Sequence, residues 1–280
     1  MILRPFVGAE SERVRSGYGG ACILRLIINI LQIVKIFFFN NEFYCVILHL
    51  QNQKRNTMNK VVVGFDFSSG SAYAVDLAID IANRFESDIR LVYVKEKNEA
   101  EGPIREEIER RNAAVAPLLK GIKLEYVLRQ GNPADELTAQ AREDNAALLI
   151  VGTHGMSGMK TSMLGRNSYK TIEQSPVPVL IVREDFNFNK ALETIVVPLD
   201  NSDDTRQKVA AAAMFAKAFG STIHLLGLYT AKAADVRGIV DNYVKMVEKF
   251  LDKNEVKYTT KFIDVSKMIA VAPLFWLFAS

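Results

Sequence analysis

From Met58 onward, short apolar runs alternate with stretches of helical periodicity, and this alternation constrains the fold more than any other feature of the sequence. The first apolar run covers 60–65 (KVVVGF), and the stretch after it repeats small and apolar residues at spacings of three and four. Strands that alternate with helices in this way are typical of βαβ units. We therefore predict an α/β fold, built on an open five-stranded parallel sheet with helices on both faces.

A glycine-rich loop follows the fourth predicted strand. The apolar run 148–151 ends at Gly152, and Gly155 and Gly165 follow in the spacing Gly-x2-Gly-x9-Gly. Glycines allow sharp turns and a close approach of the backbone to a ligand, so the freed N–H groups can point at an anion. Such loops also occur as plain turns. The pattern therefore indicates a phosphate cradle without establishing one.

An acidic residue stands at the end of the first predicted strand. Asp66 follows the run 60–65, and Ser68 and Ser71 come shortly after it. In an open parallel sheet, ligands bind outside the carboxyl ends of the strands, so Asp66 can reach a ribose or a base there. The simpler interpretation is that Asp66 and the serines cap the next helix. The two interpretations are compatible.

On these residues the chain resembles the universal stress protein family, and the resemblance extends through Val182. The resemblance implies a Rossmann-like adenine-nucleotide-binding fold whose ligand is ATP or AMP, with Mg²⁺ as a candidate companion of the phosphates. Asp66 takes the position after strand one, and Val94 takes the position that touches adenine. The nucleotide-binding residues that the resemblance implies are Asp66, Val94, Gly152, Thr153, Gly155, Gly165, Arg166, Asn167 and Ser168.

The sequence departs from the family pattern at Arg166, where a small hydroxyl residue is expected after Gly165. An arginine is bulky enough to clash with a phosphate, but its guanidinium is also a good phosphate partner when it approaches from the side. Ser168 remains two residues further on. We expect weakened rather than abolished nucleotide binding.

Charge and cysteine content exclude several classes of function. The net charge is +3, but residues 1–57 hold seven basic and three acidic residues, so the remainder sums to −1. This argues against nucleic-acid binding, which needs clustered positive charge. Both cysteines, Cys22 and Cys45, precede Met58, and the three histidines show no metal-ligand spacing. We expect a cytoplasmic protein without a metal site.

Residues 1–57 form an apolar N-terminal extension of different character. The run 23–39 resembles a membrane segment, but it contains Arg25 and Lys35, each of which costs on the order of 3 kcal/mol at a bilayer centre. A membrane-spanning helix and a signal peptide both fit poorly. Because Met58 opens the segment that resembles the family, the interpretation ranked first is that 1–57 is not part of the native protein.

An internal repeat indicates a second copy of the same fold. Asp200 lies 134 residues after Asp66, and the same offset pairs Phe85 with Phe219 and Ser87 with Ser221. We predict domain 1 at 58–183, a linker at 184–192 and a partial domain 2 at 193–280. The copy of the glycine loop would fall beyond Ser280. A tandem protein with a truncated second domain would leave the strand Val177 to Val182 as an exposed apolar edge, which predicts a homodimer through that strand.

Three functions remain open on this sequence. The first is an ATP- or AMP-binding module of the stress response, the second is a nucleotide-independent dimerisation or interaction module, and the third is a slow ATP hydrolase. No activated nucleophile, paired carboxylates or Mg²⁺-holding motif stands beside the loop, so we expect no catalytic residues and no enzyme. Lys160 and Thr161 do not complete a P-loop, because Met159 separates the lysine from Gly158.

Overall fold

The computed structural model describes residues 36–39, 44–47, 58–153, 165–182, 192–201 and 205–264. The strands in chain order are β1 Ile36–Phe39, β2 Tyr44–Ile47, β3 Lys60–Gly64, β4 Asp88–Lys95, β5 Leu124–Gln130, β6 Leu148–Gly152, β7 Val179–Val182, β8 Thr194–Leu199, β9 Thr222–Tyr229 and β10 Tyr258–Asp264. The helices are α1 Ser69–Phe85, α2 Glu101–Val115, α3 Pro133–Glu143, α4 Arg166–Gln174, α5 Thr205–Phe219 and α6 Ala234–Lys253, with a 3₁₀ turn at Ala116–Leu118.

Five strands form the parallel unit that the sequence predicts. Their order is β7-β6-β3-β4-β5, and each neighbouring pair is parallel. The chain runs outward from β3 through β4 to β5 and then returns to the other side of β3 to form β6 and β7. The predicted fold class is confirmed, and the strand order reverses beside β3.

Successive residues of each strand serve opposite faces of this sheet. In β3, Val61 and Val63 pack with α1 and α2, whereas Val62 packs with α3 and α4. All three valines are fully buried. Burial of such a side chain contributes about 1.5–3 kcal/mol, so the side chains on each face stabilise this unit. Both faces of the sheet are buried, as expected.

Two helices carry a proline in their first turn. In helix α3 the Asn132 side chain accepts from the backbone N–H groups of Ala134 (3.2 Å) and Asp135 (3.4 Å), and Pro133 takes the first position. Helix α2 begins at Glu101, two residues before Pro103. Proline is tolerated there because the first-turn N–H groups have no helical partner.

Residues 194–264 repeat the first half of this unit. Strands β8, β9 and β10 are parallel neighbours, with α5 and α6 between them in the chain. Individual hydrogen bonds recur at the offset of 134: the Ser87 hydroxyl donates to the Met58 carbonyl, and the Ser221 hydroxyl donates to the Leu192 carbonyl. The sequence identity between the two segments therefore extends to the same buried contacts. Residues 265–280 of the predicted second domain lie outside the described residues.

The two segments meet through the ends of α1 and α5. The Phe85 and Phe215 rings pack edge to face at 5.6 Å between centroids. The Arg84 guanidinium lies 4.3 Å from the ring centre of Phe219 and donates to the Ala218 carbonyl at 3.0 Å. In each segment, the contact is formed by the C-terminal part of the first helix of that segment.

A hairpin from the N-terminal extension completes the sheet. Strands β1 and β2 lie between β8 and β7 in a ten-stranded sheet, in the order β10-β9-β8-β1-β2-β7-β6-β3-β4-β5. The expectation of an exposed edge at Val177 to Val182 is therefore wrong, because β2 pairs with β7 through Val46 opposite Leu180 and Ile47 opposite Val179. A homodimer through β7 remains a prediction, and it would first require β2 to leave.

The contact between the segments gives a stability prediction. Phe215 is 6% exposed and touches both Phe85 and Phe219, so Phe215→Ala should lower the free energy of unfolding by about 3–5 kcal/mol. Phe250→Ala is the matched control, because Phe250 is 39% exposed and should cost much less. Urea unfolding followed by circular dichroism measures both, and equal losses would contradict the packing role of Phe215.

Candidate functional site

Asp66 lies directly after β3, where the sheet ends and α1 begins. Its carboxylate accepts hydrogen bonds from the backbone N–H of Ser68 (3.1 Å) and from the Ser68 hydroxyl. Ser68 is the N-cap of α1 and accepts from the Ser71 N–H at 3.1 Å. Asp66 is thus held by the cap of the helix and is also placed at the carboxyl edge of the sheet. The capping role belongs to Ser68, and Asp66 holds that cap in place while its part in a site stays a prediction.

Gly152 ends β6 against the first turn of α1. A Cβ atom on Gly152 would lie 2.8 Å from the backbone carbonyl carbon of Gly70, a distance at which the backbone would have to shift. Glycine is therefore required so that strand and helix can approach each other. Sequence analysis interpreted Gly152 only as part of a ligand cradle and missed this packing role. Gly70, the partner in this contact, lies in the first turn of α1, and no sequence pattern links the two glycines.

The start of α4 lies beside the end of β6. The Gly165 N–H donates to the Thr153 carbonyl (3.0 Å), and the Thr153 N–H donates to the Val182 carbonyl (2.9 Å). These bonds fix both ends of the glycine-rich loop, whose residues 154–164, including Gly155, lie outside the described residues. Gly165 is the N-cap of α4 and supplies no side-chain cap. The loop is therefore anchored at β6 and β7 on one side and at α4 on the other.

Backbone N–H groups of Arg166, Asn167 and Ser168 occupy the first turn of α4, and the first helical bond runs from the Tyr169 N–H to the Gly165 carbonyl at 2.9 Å. First-turn N–H groups have no helical acceptor, and together with the helix dipole they favour an anion. The Ser168 hydroxyl is used elsewhere, because it donates to the carbonyls of Gly152 (2.9 Å) and Thr153 (3.3 Å). The Arg166 side chain is exposed.

These elements surround an open pocket of about 120 Å³ at the carboxyl edge of the sheet. It lies where the strand order reverses, between β3, β4 and β6, which is the position at which open α/β sheets bind ligands. The predicted site residues that line it are Asp66, Val94, Gly152, Asn167 and Ser168. Thr153 and Arg166 are each next to a lining residue in the chain, and Gly165 lies two residues before Asn167.

Other lining residues were not predicted as site residues. They are Gly64, Phe65, Ser71, Val92, Pro133, Leu137, Val151 and Thr171. Val92 could have been predicted from the alternation of side chains along a strand. Residues two apart face the same side, and Val94 was already a predicted site residue. Thr171 could have been found from helix period, because it lies one turn after Asn167 and donates to the Asn167 carbonyl at 2.8 Å.

Aromatic side chains pack beside Asp66. Phe67 has a φ of 64°, a left-handed conformation that is uncommon for a bulky residue, and its ring packs 4.9 Å from that of Tyr93. The Tyr93 hydroxyl donates to the Glu99 carboxylate at 2.7 Å. Burial, and after it the bond to Glu99, raises the pKa of Tyr93 above its usual value, so this phenol stays neutral. The turn after Asp66 is thereby held in one conformation by packing.

The ends of β9 and β10 carry an aromatic cluster on the face of the sheet that packs with α5 and α6. The counterparts of Val92 and Val94 at the offset of 134 are Leu226 and Leu228, which alternate with Gly227 and Tyr229 and therefore face the other side. The rings of Tyr229 and Phe262 stack at 5.4 Å, and a Cβ atom on Gly227 would clash with the Phe262 ring. Arg237 lies over Tyr229 at 4.8 Å and forms an ion pair with Asp264 at 2.6 Å. Aromatic packing and an ion pair therefore stand where β9 and β10 end.

The pocket offers three chemically distinct parts. Asp66 supplies a carboxylate acceptor, Val92 and Val94 supply an apolar wall, and the first turn of α4 supplies N–H donors for an anion. Within the described ranges, no group of three or more His, Cys, Asp or Glu residues is placed to hold a metal ion. Over those same residues, no helix is both long and apolar enough to cross a membrane.

Comparisons with known proteins match the first segment of the chain to one family. Residues 57–183 match the model of the universal stress protein family. The universal stress protein YxiE of Bacillus subtilis (strain 168) is 33% identical over 148 residues, which cover 45% of this chain and 99% of that protein. The universal stress protein MJ0531 of Methanocaldococcus jannaschii is 26% identical over 164 residues, which cover 54% of this chain and 96% of that protein.

A solved structure agrees with the fold over a longer range. A universal stress protein from Archaeoglobus fulgidus DSM 4304 superposes with a TM-score of 0.55 at 18% identity, and the match covers 74% of this chain and 77% of that chain. At this identity the likeness concerns the fold alone.

The close approach of β6 and α1 gives a test that separates packing from ligand binding. Gly152→Ala should lower the free energy of unfolding by at least about 1 kcal/mol, because the new methyl group would press on the Gly70 backbone. Gly102→Ala is the control, since nothing lies within 4 Å of its Cβ position in α2 and alanine should stabilise that helix by about 0.5–1 kcal/mol. Chemical unfolding without any ligand measures both. A neutral Gly152→Ala would contradict the packing role.

Proposed function

Because this chain belongs to the universal stress protein family, we propose that residues 58–183 form an ATP- or AMP-binding module of the stress response. The observation that carries the proposal is the pocket at the strand-order reversal, where a carboxylate, an apolar wall and the uncapped start of a helix converge. These three parts match the hydroxylated, aromatic and anionic parts of a nucleotide.

The proposed pose follows from the chemistry of each wall. The adenine ring lies against Val94 and Val92, which offer an apolar surface at the end of β4. The Asp66 carboxylate accepts from a ribose hydroxyl, since it follows β3 at the same edge. The phosphates lie at the first turn of α4 and along the glycine-rich loop, where backbone N–H groups and the helix dipole favour negative charge.

Arg166 is compatible with this pose. At the first position of α4 its backbone N–H contributes to the anion site whatever the side chain is, and the side chain itself is exposed. We therefore propose that Arg166 weakens nucleotide binding without abolishing it. Mg²⁺ would have to be held partly by the phosphates, because within the described ranges no cluster of three ligating side chains is placed for it.

A nucleotide-independent interaction module is the second candidate. One observation favours it: Arg166 stands where the family pattern has a small hydroxyl residue. On this alternative the chain would act through its surfaces and would not respond to ATP.

Calorimetric titration of ATP into the full-length protein separates these candidates. We expect saturable binding of one ATP, reduced at least tenfold by Val94→Phe, whose ring would fill the adenine position. Val127→Phe is the matched control, because Val127 packs on the same apolar cluster as Val94 but does not line the pocket. Absence of binding at millimolar ATP by folded protein would refute the nucleotide proposal and leave the interaction module.

Arg166→Ser tests the departure from the family pattern. We expect tighter ATP binding, because serine offers a hydroxyl together with the same N–H and removes a bulky side chain from the phosphate position. Tyr169→Ser is the control, since Tyr169 is exposed on the same helix and does not line the pocket. The same titration measures both variants, and an unchanged or weaker affinity in Arg166→Ser would show that the arginine does not hinder the phosphates.

A further inference from the structure

The repeat assigns a place in the sheet to each strand of the second segment. In the first segment β6 lies beside β3, and β7 lies beside β6. The counterpart of β3 is β8, since Thr194 lies 134 residues after Lys60. Counterparts of β6 and β7 would therefore occupy the two positions next to β8, on the side away from β9. In the structure β1 and β2 occupy these two positions.

The hairpin fits this gap on both sides. Its own strands pair through four residue pairs, from Ile36 opposite Ile47 to Phe39 opposite Tyr44. On the outer sides, Phe38 of β1 pairs with Val196 of β8, and Val46 of β2 pairs with Leu180 of β7. Both outer pairings are antiparallel, so the hairpin substitutes for the two positions without copying the parallel direction of β6 beside β3.

The sequences on both sides of the gap are those of central strands. The hairpin strands read IFFF and YCVI, and all of these residues except Cys45 are aromatic or β-branched types with a high preference for strands. The neighbouring strands are equally apolar, with Val179 and Val197 fully buried. Left open, the edges of β7 and β8 would present unpaired N–H and carbonyl groups flanked by apolar side chains, which is a template for aggregation.

We propose that the gap between β7 and β8 is a strand-acceptor site and that the strands Ile36–Phe39 and Tyr44–Ile47 of the same chain are its occupant. The hairpin supplies the two strands that join the sheets of the first and second segments. This inference is independent of nucleotide binding, since the pocket lies among β3, β4 and β6. It also makes the N-terminal extension part of the folded unit, against the interpretation ranked first from the sequence.

Engineered disulfides test the register directly. The protein carries Val46→Cys with Leu180→Cys, and its native cysteines are replaced by Cys22→Ser and Cys45→Ser. Partners in adjacent antiparallel strands have Cα atoms about 4.5–5.5 Å apart, which is within the range for a disulfide. Val46→Cys with Ile263→Cys is the control, because β10 lies at the far end of the sheet.

After mild oxidation we expect an intramolecular disulfide in the first variant and none in the control, read by non-reducing electrophoresis and by the mass of the linked peptides. A disulfide-linked dimer would mean that the acceptor site takes the hairpin of a second copy, which would overturn the intramolecular assignment. Failure of any crosslink between positions 46 and 180 would overturn the proposal altogether.

Hydrogen exchange tests whether the hairpin protects the edges. Val46→Pro removes a strand N–H and should raise exchange at least tenfold in β7 and β8, while β4, four strands away from β2, stays protected. Gln51→Pro, which lies outside both hairpin strands, is the control. Unchanged exchange in β7 and β8 would contradict the proposal. If Val46→Pro unfolds the whole chain, as increased exchange in β4 would indicate, the crosslink decides.

Discussion

The burial of β3 on both faces, with a neighbouring strand on each side, is the constraint on which the rest of the structure depends. Its consecutive valines serve opposite clusters, so neither face can be exposed without loss of core. The strand order also reverses at β3. The connections that leave the carboxyl ends of β3 and β6 therefore run to opposite sides, and a crevice remains between these ends. The pocket beside Asp66 is the geometric result of that topology.

The same contacts serve folding and the candidate site. Ser68, the N-cap of α1, also holds the Asp66 carboxylate. The Ser168 hydroxyl joins α4 to β6 and so fixes the position of the first turn of α4 relative to the sheet. Gly152 allows the end of β6 to lie directly against the first turn of α1 at the base of the pocket. A rigid framework of this kind orients a ligand at little entropic cost, because its polar groups are already held in position.

Much of this could be predicted from the sequence. The apolar runs 60–65 and 148–151 match β3 and β6 to within one residue. The offset of 134 identified the second segment, in which the Ser221 hydrogen bond repeats that of Ser87. The contact between Gly152 and Gly70 could not be predicted, because it depends on the angle between a strand and a helix distant in sequence. The place of β1 and β2 was also missed, since a short apolar run carries no information about its partners.

The position of the hairpin has a consequence for the order in which the chain can fold during synthesis. Strands β1 and β2 are made first, yet their outer partners β7 and β8 lie between Val179 and Leu199, more than a hundred residues later. At about 5–20 residues per second, the hairpin must wait roughly ten to thirty seconds for its neighbours. During that interval β3, β4 and β5 can already associate around α1. The first part of the chain to be synthesised is thus among the last to be locked into the sheet.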